Sequence, residues 1–273
     1  MTLPLPSVQL YSLAKEFSAD MGQSLDKLAE IGLRHVEAFD FVERAPEIRK
    51  ALDDSGLSAP TGHAPLLSDE LWTPGGSIPT PEPERVFEAA AVAGIQTVID
   101  PFVDPARWLT IEGVDDIADR LNTAAELAAS YGLNVGYHNH AQEFVAFFDG
   151  VSAYERFVSR IDERVKIELD LYWAAVADQD VPALTKQIGS RLLAVHVKDG
   201  ASMANPWAPG SPALDPASLV QKHAGTGDIP LAEAMRANNA IEYAVIEYDK
   251  APTDVFDDIA ASFAFLHAEG LVK

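Results

Sequence analysis

Short β-branched and apolar runs alternate with longer helix-like segments along the whole chain, and this alternation limits the possible folds more than any other feature. Eight such units fit into 273 residues, which is close to the roughly 250 residues of one (β/α)8 barrel. We therefore predict an α/β protein with one domain over residues 1–273, built as a TIM barrel. The predicted strands are residues 7–10, 35–39, 59–63, 97–99, 135–140, 165–171, 192–198 and 244–248.

Two of the predicted helices have clear end signals. Ser24 precedes apolar residues at helical spacing, and Gly32 follows the last of them, so a helix is expected between these two residues. A second apolar stripe predicts a helix over residues 114–131, just before Gly132. Two longer segments, 66–83 and 200–230, are rich in Gly, Pro and Ser and follow predicted strands. In a barrel such loops lie on the catalytic face.

Composition excludes several classes of function. The chain has no cysteine, so any metal ion must be held by His, Asp and Glu. Its net charge of −22 disfavours nucleic-acid binding, which depends on clustered Lys and Arg. There is no run of about 18 uncharged apolar residues and no secretory signal in the first residues, so we expect no membrane span and a cytoplasmic location.

Polar residues that bind metals or move protons fall at the ends of the four late strands. Because strand ends meet around the axis of a barrel, these side chains should converge. A mixed set of carboxylates and imidazoles suits Mn²⁺, Mg²⁺, Co²⁺ or Zn²⁺. The residues are His138, His140 and Glu143 at strand five, Glu168 and Asp170 at strand six, His196, Lys198 and Asp199 at strand seven, and Glu247 and Asp249 at strand eight.

Each residue also has a purely structural interpretation. His138 and His140 share one face of a strand, where both either point into the barrel mouth or form structural hydrogen bonds. Buried carboxylates inside a strand are costly unless they are paired or bound to metal, which favours function for Glu168 and Asp170. Four further residues are candidate contacts for a sugar, although solvation or core packing explains them equally simply. They are Glu37 inside strand two, His63 at the end of strand three, and Trp108 and Trp173 near predicted strand ends or loops.

From about residue 8 to residue 266, the sequence resembles the sugar phosphate isomerase/epimerase family, whose xylose-isomerase-like barrel is shared by type IV AP endonucleases. The resemblance rests on six motifs, each weak alone but specific together. They are Gln-Leu-Tyr-Ser-Leu at 9–13, Tyr-His-Asn-His at 137–140 with Glu143-Phe144, Glu-Leu-Asp-Leu-Tyr-Trp at 168–173, His-Val-Lys-Asp at 196–199, Gly-Thr-Gly-Asp-Ile at 225–229 and Glu-Tyr-Asp at 247–249.

The resemblance implies a metal held by Glu, Asp, His and Glu from strands five to eight. Asp170, His196 and Glu247 match this pattern directly, whereas strand five has His138 where many members have glutamate. We predict Glu143 as the fourth ligand, reaching back from the loop, with His138 as the alternative. His138, His140, Glu247 and Lys198 are the predicted catalytic residues.

The resemblance further implies that the metal binds neighbouring oxygens of a keto sugar and that a base, Glu247 or Glu143 with a histidine partner, forms an enediolate. An isomerase or epimerase acting on a small carbohydrate is therefore the leading interpretation, and homo-oligomers are frequent in such barrels. A lyase, dehydratase or hydrolase acting on a 3-keto-glycoside would need almost the same residues. A DNA phosphodiesterase is disfavoured by the charge of −22. A binding module without catalysis is the last alternative.

Overall fold

The eight predicted strands form one parallel sheet that curves into a nearly closed barrel. The computed structural model describes residues 3–73 and 76–273. Around the barrel the strand order is β1-β8-β7-β6-β5-β4-β3-β2, and every neighbouring pair is parallel. The strands are β1 (Leu5–Val8), β2 (His35–Ala38), β3 (Ser58–His63), β4 (Thr97–Asp100), β5 (Asn134–His138), β6 (Lys166–Asp170), β7 (Leu192–Val197) and β8 (Tyr243–Ile246).

A bridge between Gln9 and Glu37 links the end strands of the sheet and closes the barrel. The amide of Gln9 strengthens this closure, since its Nε2 donates a hydrogen bond to Glu37 Oε1 at 2.7 Å. The prediction of a TIM barrel is therefore confirmed. Strands β4 and β7 are buried along their whole length, as expected for parallel strands covered on both faces.

Helices surround the barrel and pack their apolar faces on the strands. They are α1 (Ala14–Ala19), α2 (Met21–Ile31), α3 (Ala45–Ser55), α4 (Pro83–Ala93), α5 (Ile111–Ser130), α6 (Ala153–Arg160), α7 (Leu171–Val176), α8 (Val181–Ile188), α9 (Leu231–Arg236) and α10 (Val255–Ala268). Within the described residues, no helix is both long enough and apolar enough to cross a membrane.

Both helices predicted from their end signals are present, but α2 begins four residues and α5 three residues before the predicted start. The N-cap of α2 is Asp20, whose carboxylate accepts a hydrogen bond from Gln23 N, while Ser24 is buried inside the helix. Thr110 caps α5 in the same way by accepting from Gly113 N. The end of α2 is as predicted, because Gly32 adopts a φ of 115° that other residues rarely tolerate.

The two long loops contain short ladders of their own. The loop after β3 holds a hairpin of Glu70–Thr73 paired with Gly76–Pro79. The loop after β7 returns to pair Gln221–Lys222 with Asp199–Gly200. Asp199 fixes this second loop, because its carboxylate accepts hydrogen bonds from the backbone N–H groups of Gly200, Gly225, Gly227 and Ile229. Both loops follow strands, and so they border the mouth where the late-strand residues end.

Candidate functional site

Four late-strand side chains bring their ligand atoms together at the mouth of the barrel. His138 ends β5, Asp170 ends β6, His196 lies in β7 and Glu247 follows β8 directly. One ligand atom from each lies within 4.8 Å of those from the other three, and all four residues are buried. We call these four residues the mouth cluster. It contains Asp170, His196 and Glu247, which the sequence suggested, and it places His138 in the fourth position.

Glu143, the fourth ligand predicted from the sequence, lies outside this cluster. The 3-10 turn Gln142–Phe144 directs its side chain towards β5. There Oε1 accepts a hydrogen bond from the Tyr137 hydroxyl at 2.8 Å, and Oε2 accepts one from His140 N at 3.0 Å. Burial raises the pKa of Glu143 to about 7. Both carboxylate oxygens thus have partners, and the residue braces the end of β5.

A second set of polar side chains lies deeper along the barrel. One of them is Glu168, which precedes Asp170 by two residues and therefore lies on the same face of β6. Glu168 Oε2 is surrounded by three imidazoles: His63 Nε2 at 2.7 Å, His138 Nδ1 at 3.1 Å and His196 Nε2 at 3.1 Å. Glu37 Oε1 lies 3.0 Å from His63 Nε2 and 2.8 Å from His196 Nε2. We call Glu37, His63 and Glu168 the inner cluster.

The inner cluster orients the two imidazoles of the mouth cluster. His196 turns Nε2 towards Glu37 and Glu168 and turns Nδ1 towards Glu247 Oε2, at 2.7 Å. His138 turns Nδ1 towards Glu168, while its Nε2 lies 3.9 Å from Asp170 Oδ2. Each ring therefore has one nitrogen towards a buried carboxylate and the other towards the mouth. This is how outer carboxylates fix the tautomer of metal-binding histidines.

Burial lowers the pKa of an imidazole, but the carboxylates of this site reverse that effect for two of the four histidines. Glu37 and Glu168 raise the pKa of His63 to about 10. Glu168 and Glu247 raise the pKa of His196 well above its usual value. For His138 and His140 the effect of burial prevails, and nearby cationic groups lower the pKa further. The pKa of His138 falls well below its usual value, and that of His140 falls to about 3.

Lys198 is a buried cation at the edge of the mouth cluster. Its Nζ lies 2.7 Å from Glu247 Oε2, 2.9 Å from Asp249 Oδ2 and 3.1 Å from Asp170 Oδ2. Although burial lowers the pKa of an ammonium group, these carboxylates raise the pKa of Lys198 well above its usual value. Lys198 therefore carries a proton at neutral pH. The same charge pairing lowers the pKa of Glu247 well below its usual range, against the effect of burial.

The donor set fits a divalent cation. Three buried carboxylate oxygens in the two clusters receive no hydrogen bond: Glu37 Oε2, Glu168 Oε1 and Asp170 Oδ2. Asp170 Oδ2 lies near Lys198 Nζ but without good hydrogen-bond geometry. Unpaired buried carboxylate oxygens are costly, and a cation in the mouth cluster removes that cost for Asp170. Two imidazole nitrogens and two carboxylates, with room left on one side, are a usual set for Zn²⁺ and other transition metals.

A pocket of about 320 Å³ opens over the clusters. Its polar lining consists of Asp40, His63, His138, His140, Glu247 and Asp249. Its apolar lining includes Tyr11, Phe39 and Phe102. We call this the mouth pocket. It places three of the predicted catalytic residues, His138, His140 and Glu247, against the space that a small substrate would enter.

The four side chains predicted to contact substrate lie in different places. His63 lines the mouth pocket, but Glu37 is completely buried beneath it. Trp173 is buried behind the pocket, with its ring centroid 5.9 Å from that of His140. Trp108 is in the hydrophobic core, where its ring packs 5.5 Å from Tyr137 and 5.4 Å from Phe157. Only His63 of this set faces the pocket in the described residues.

Comparison with known proteins agrees with this architecture. Residues 25–268 match the family model of the xylose isomerase-like TIM barrel, and the chain belongs to that family. No curated protein sequence matches it significantly.

Among solved structures, a sugar phosphate isomerase/epimerase from Parabacteroides distasonis ATCC 8503 is similar, with a TM-score of 0.78 and 22% identity over 100% of this chain and 96% of that one. The D-psicose 3-epimerase with D-tagatose from Clostridium cellulolyticum H10 has a TM-score of 0.67 and 15% identity over 98% and 100% of the two chains. The probable 3-DHS dehydratase of petrobactin synthesis from Bacillus anthracis has a TM-score of 0.68 and 12% identity over 96% and 98%. At these identities the likeness shows the shared fold.

Proposed function

We propose that the protein is a metal-dependent enzyme that moves a proton at a carbon next to a carbonyl of a carbohydrate, as an isomerase or epimerase does. The observation that carries this proposal is the convergence of His138, Asp170, His196 and Glu247 beneath a pocket of monosaccharide size. Structural neighbours named as a sugar phosphate isomerase/epimerase and a D-psicose 3-epimerase support the same class. His138 replaces Glu143 as our proposed fourth ligand, because both oxygens of Glu143 have protein partners.

When bound, a divalent cation supplies a positive charge that polarises the carbonyl and acidifies the adjacent C–H bond. Glu247 is the base in this proposal, since it lines the mouth pocket and remains ionised at neutral pH. Because the pKa of Glu247 is low, its carboxylate is a weak base. Glu247 therefore removes a proton only from a C–H bond that has been made more acidic. Lys198, protonated and 2.7 Å from Glu247, stabilises negative charge that develops on the enediolate.

His140 orients substrate in this scheme. Its low pKa keeps the ring neutral, and its buried Nδ1 has no hydrogen-bond partner. A neutral imidazole offers one donor and one acceptor to a sugar hydroxyl.

Elimination from an oxidised sugar is the second candidate function. It needs an acid near the leaving group in addition to the base, and Lys198 is the protonated side chain available for that role, with its Nζ 2.9 Å from Asp249 Oδ2 at the pocket edge. The neighbour named as a probable 3-DHS dehydratase supports this alternative.

Proton exchange in D₂O tests both candidates together. Metal-loaded protein is incubated with keto sugars and 3-keto-glycosides, and deuterium at carbon is followed by NMR, with chelated protein as the control. Exchange that requires metal and yields an isomer or epimer supports the first function. Exchange accompanied by loss of a leaving group supports the second. No exchange with any substrate in metal-loaded protein contradicts both.

A further inference from the structure

A second cavity of about 740 Å³ lies beside the mouth pocket, between the end of β2, the hairpin after β3 and the start of α4. It shares a wall with the mouth pocket, since Phe39, Asp40, His63, Ala64 and Pro65 line both. The two spaces are therefore direct neighbours. Ligand sites for drug-sized molecules occupy roughly 300–1,000 Å³, so the second cavity alone holds a group larger than a sugar ring.

Apolar side chains form most of this second cavity, which we call the side groove. Phe41 and Val42 line its floor, and Leu71 and Ile78 face each other across the hairpin. Ile78 leaves 49% of its surface exposed there. Burial of such a surface by an apolar group is favourable by roughly 25 cal/mol per Å². The groove is therefore suited to an apolar part of a ligand.

Charges around both cavities disfavour a phosphorylated ligand. The side groove is lined by the carboxylates of Asp40, Glu43 and Glu82. Its described lining includes two cations, and both already have carboxylate partners: Arg85 forms an ion pair with Glu43, and His63 lies between Glu37 and Glu168. The described lining of the mouth pocket includes no Lys or Arg, and its acidic members are Asp40, Glu247 and Asp249. A phosphate group in either space would meet carboxylates, because the cations there are already paired and the N-terminus of α4 carries the carboxylate of Glu82.

We propose that the substrate is an unphosphorylated keto-glycoside, a glycoside with a ketone on its sugar ring, whose ring enters the mouth pocket and whose apolar aglycone, aromatic or alkyl, lies in the side groove. This inference rests on the proposed carbohydrate function and specifies its substrate class. The shared wall at Phe39 and Pro65 marks where the glycosidic bond passes from one space to the other.

Binding of matched glycosides to the metal-loaded protein tests the inference. Methyl glucoside and phenyl glucoside are unreactive analogues without the ring ketone, and they differ only in the aglycone. Their dissociation constants are measured by saturation-transfer NMR titration. We expect phenyl glucoside to bind at least about tenfold more tightly, because its ring buries apolar surface in the groove. Ile78→Ser should remove most of that difference and leave the affinity for methyl glucoside unchanged.

Val92→Ser is the matched control, because Val92 is 50% exposed on α4 and does not line the groove. It should preserve the preference for the phenyl compound. Equal affinity for the two glycosides, loss of the preference in both variants, or tighter binding of glucose 6-phosphate than of glucose overturns the inference. Failure of the proposed function gives a different result, namely absence of deuterium exchange from all sugars while the aglycone preference persists.

Discussion

The late and early strands of the barrel contribute different things to the same mouth. Strands β5 to β8 supply the mouth cluster and Lys198, which are the groups able to hold a cation and transfer protons. Strands β2 and β3 supply Glu37 and His63, which lie against the imidazoles of the late strands, and Gln9 after β1 bonds to Glu37. The segments that follow β2 and β3 form the apolar wall of the side groove. The comparison teaches that the late strands carry the groups for chemistry, whereas the early strands add only support, which they share with Glu168 of β6.

Loss of a late-strand carboxylate should have the largest effect on metal affinity and proton exchange. Asp170→Ala removes one proposed ligand and leaves Lys198 with one carboxylate fewer. We expect metal affinity and proton exchange to fall by at least about 1000-fold, since changes to groups behind a metal ligand already cost 10–100-fold. Metal content after dialysis and exchange in D₂O measure the two effects. Asp178→Asn, at an exposed position, is the control and should match the parent protein.

The second prediction separates the two candidates for the fourth ligand. His138→Ala should lower metal affinity by about 100-fold or more, because it removes an imidazole of the mouth cluster. Glu143→Gln should change metal affinity little and lower the free energy of unfolding by about 1–3 kcal/mol, because its amide disturbs the bond from His140 N. Titration calorimetry with metal and denaturant unfolding distinguish these outcomes. The reverse pattern would return Glu143 to the ligand set.

The early strands are tested by Glu37→Gln, which keeps the size of the side chain and removes its charge. Because Glu37 holds Nε2 of His196, metal affinity should fall by about 10–100-fold without loss of the fold. Metal titration measures the affinity, and circular dichroism at matched temperature shows whether the fold is retained. An unchanged metal affinity would show that the late strands hold their imidazoles without help from β2.

The smallest effect on activity is expected for Trp108→Phe. Trp108 packs in the core against Tyr137 and Phe157, so the smaller ring should lower the free energy of unfolding by about 1–3 kcal/mol. The KM for sugar should stay the same. A large rise in KM with normal stability would mean that Trp108 contacts substrate after all.

Sequence alone predicts the barrel well because its signals are local. Each of the eight strands is a short apolar run, and the bounds of every one lie within two residues of the predicted bounds. Helix starts are less well predicted, since Asp20 and Thr110 cap their helices through single hydrogen bonds that other polar residues nearby could also make. The late-strand residues are predictable for the same reason as the strands, because each lies at a strand end.

The support from the early strands is not predictable in this way. Gln9 belongs to the Gln-Leu-Tyr-Ser-Leu motif at 9–13, but its contact with Glu37 exists only once β1 and β2 meet in the barrel. The position of Glu143 depended on the turn at Gln142–Phe144, which directs the side chain to Tyr137. In both cases the contact depends on the folded chain, so the sequence pattern does not predict that Gln9 meets Glu37 or that Glu143 meets Tyr137.

The most direct measurement is a crystal structure of the zinc-loaded protein with anomalous data collected on both sides of the zinc edge. The account predicts one anomalous peak within about 2.0–2.2 Å of His138 Nε2, His196 Nδ1 and an oxygen from each of Asp170 and Glu247. A peak held by Glu143, or zinc-saturated crystals in which these four side chains bind no ion, would contradict it.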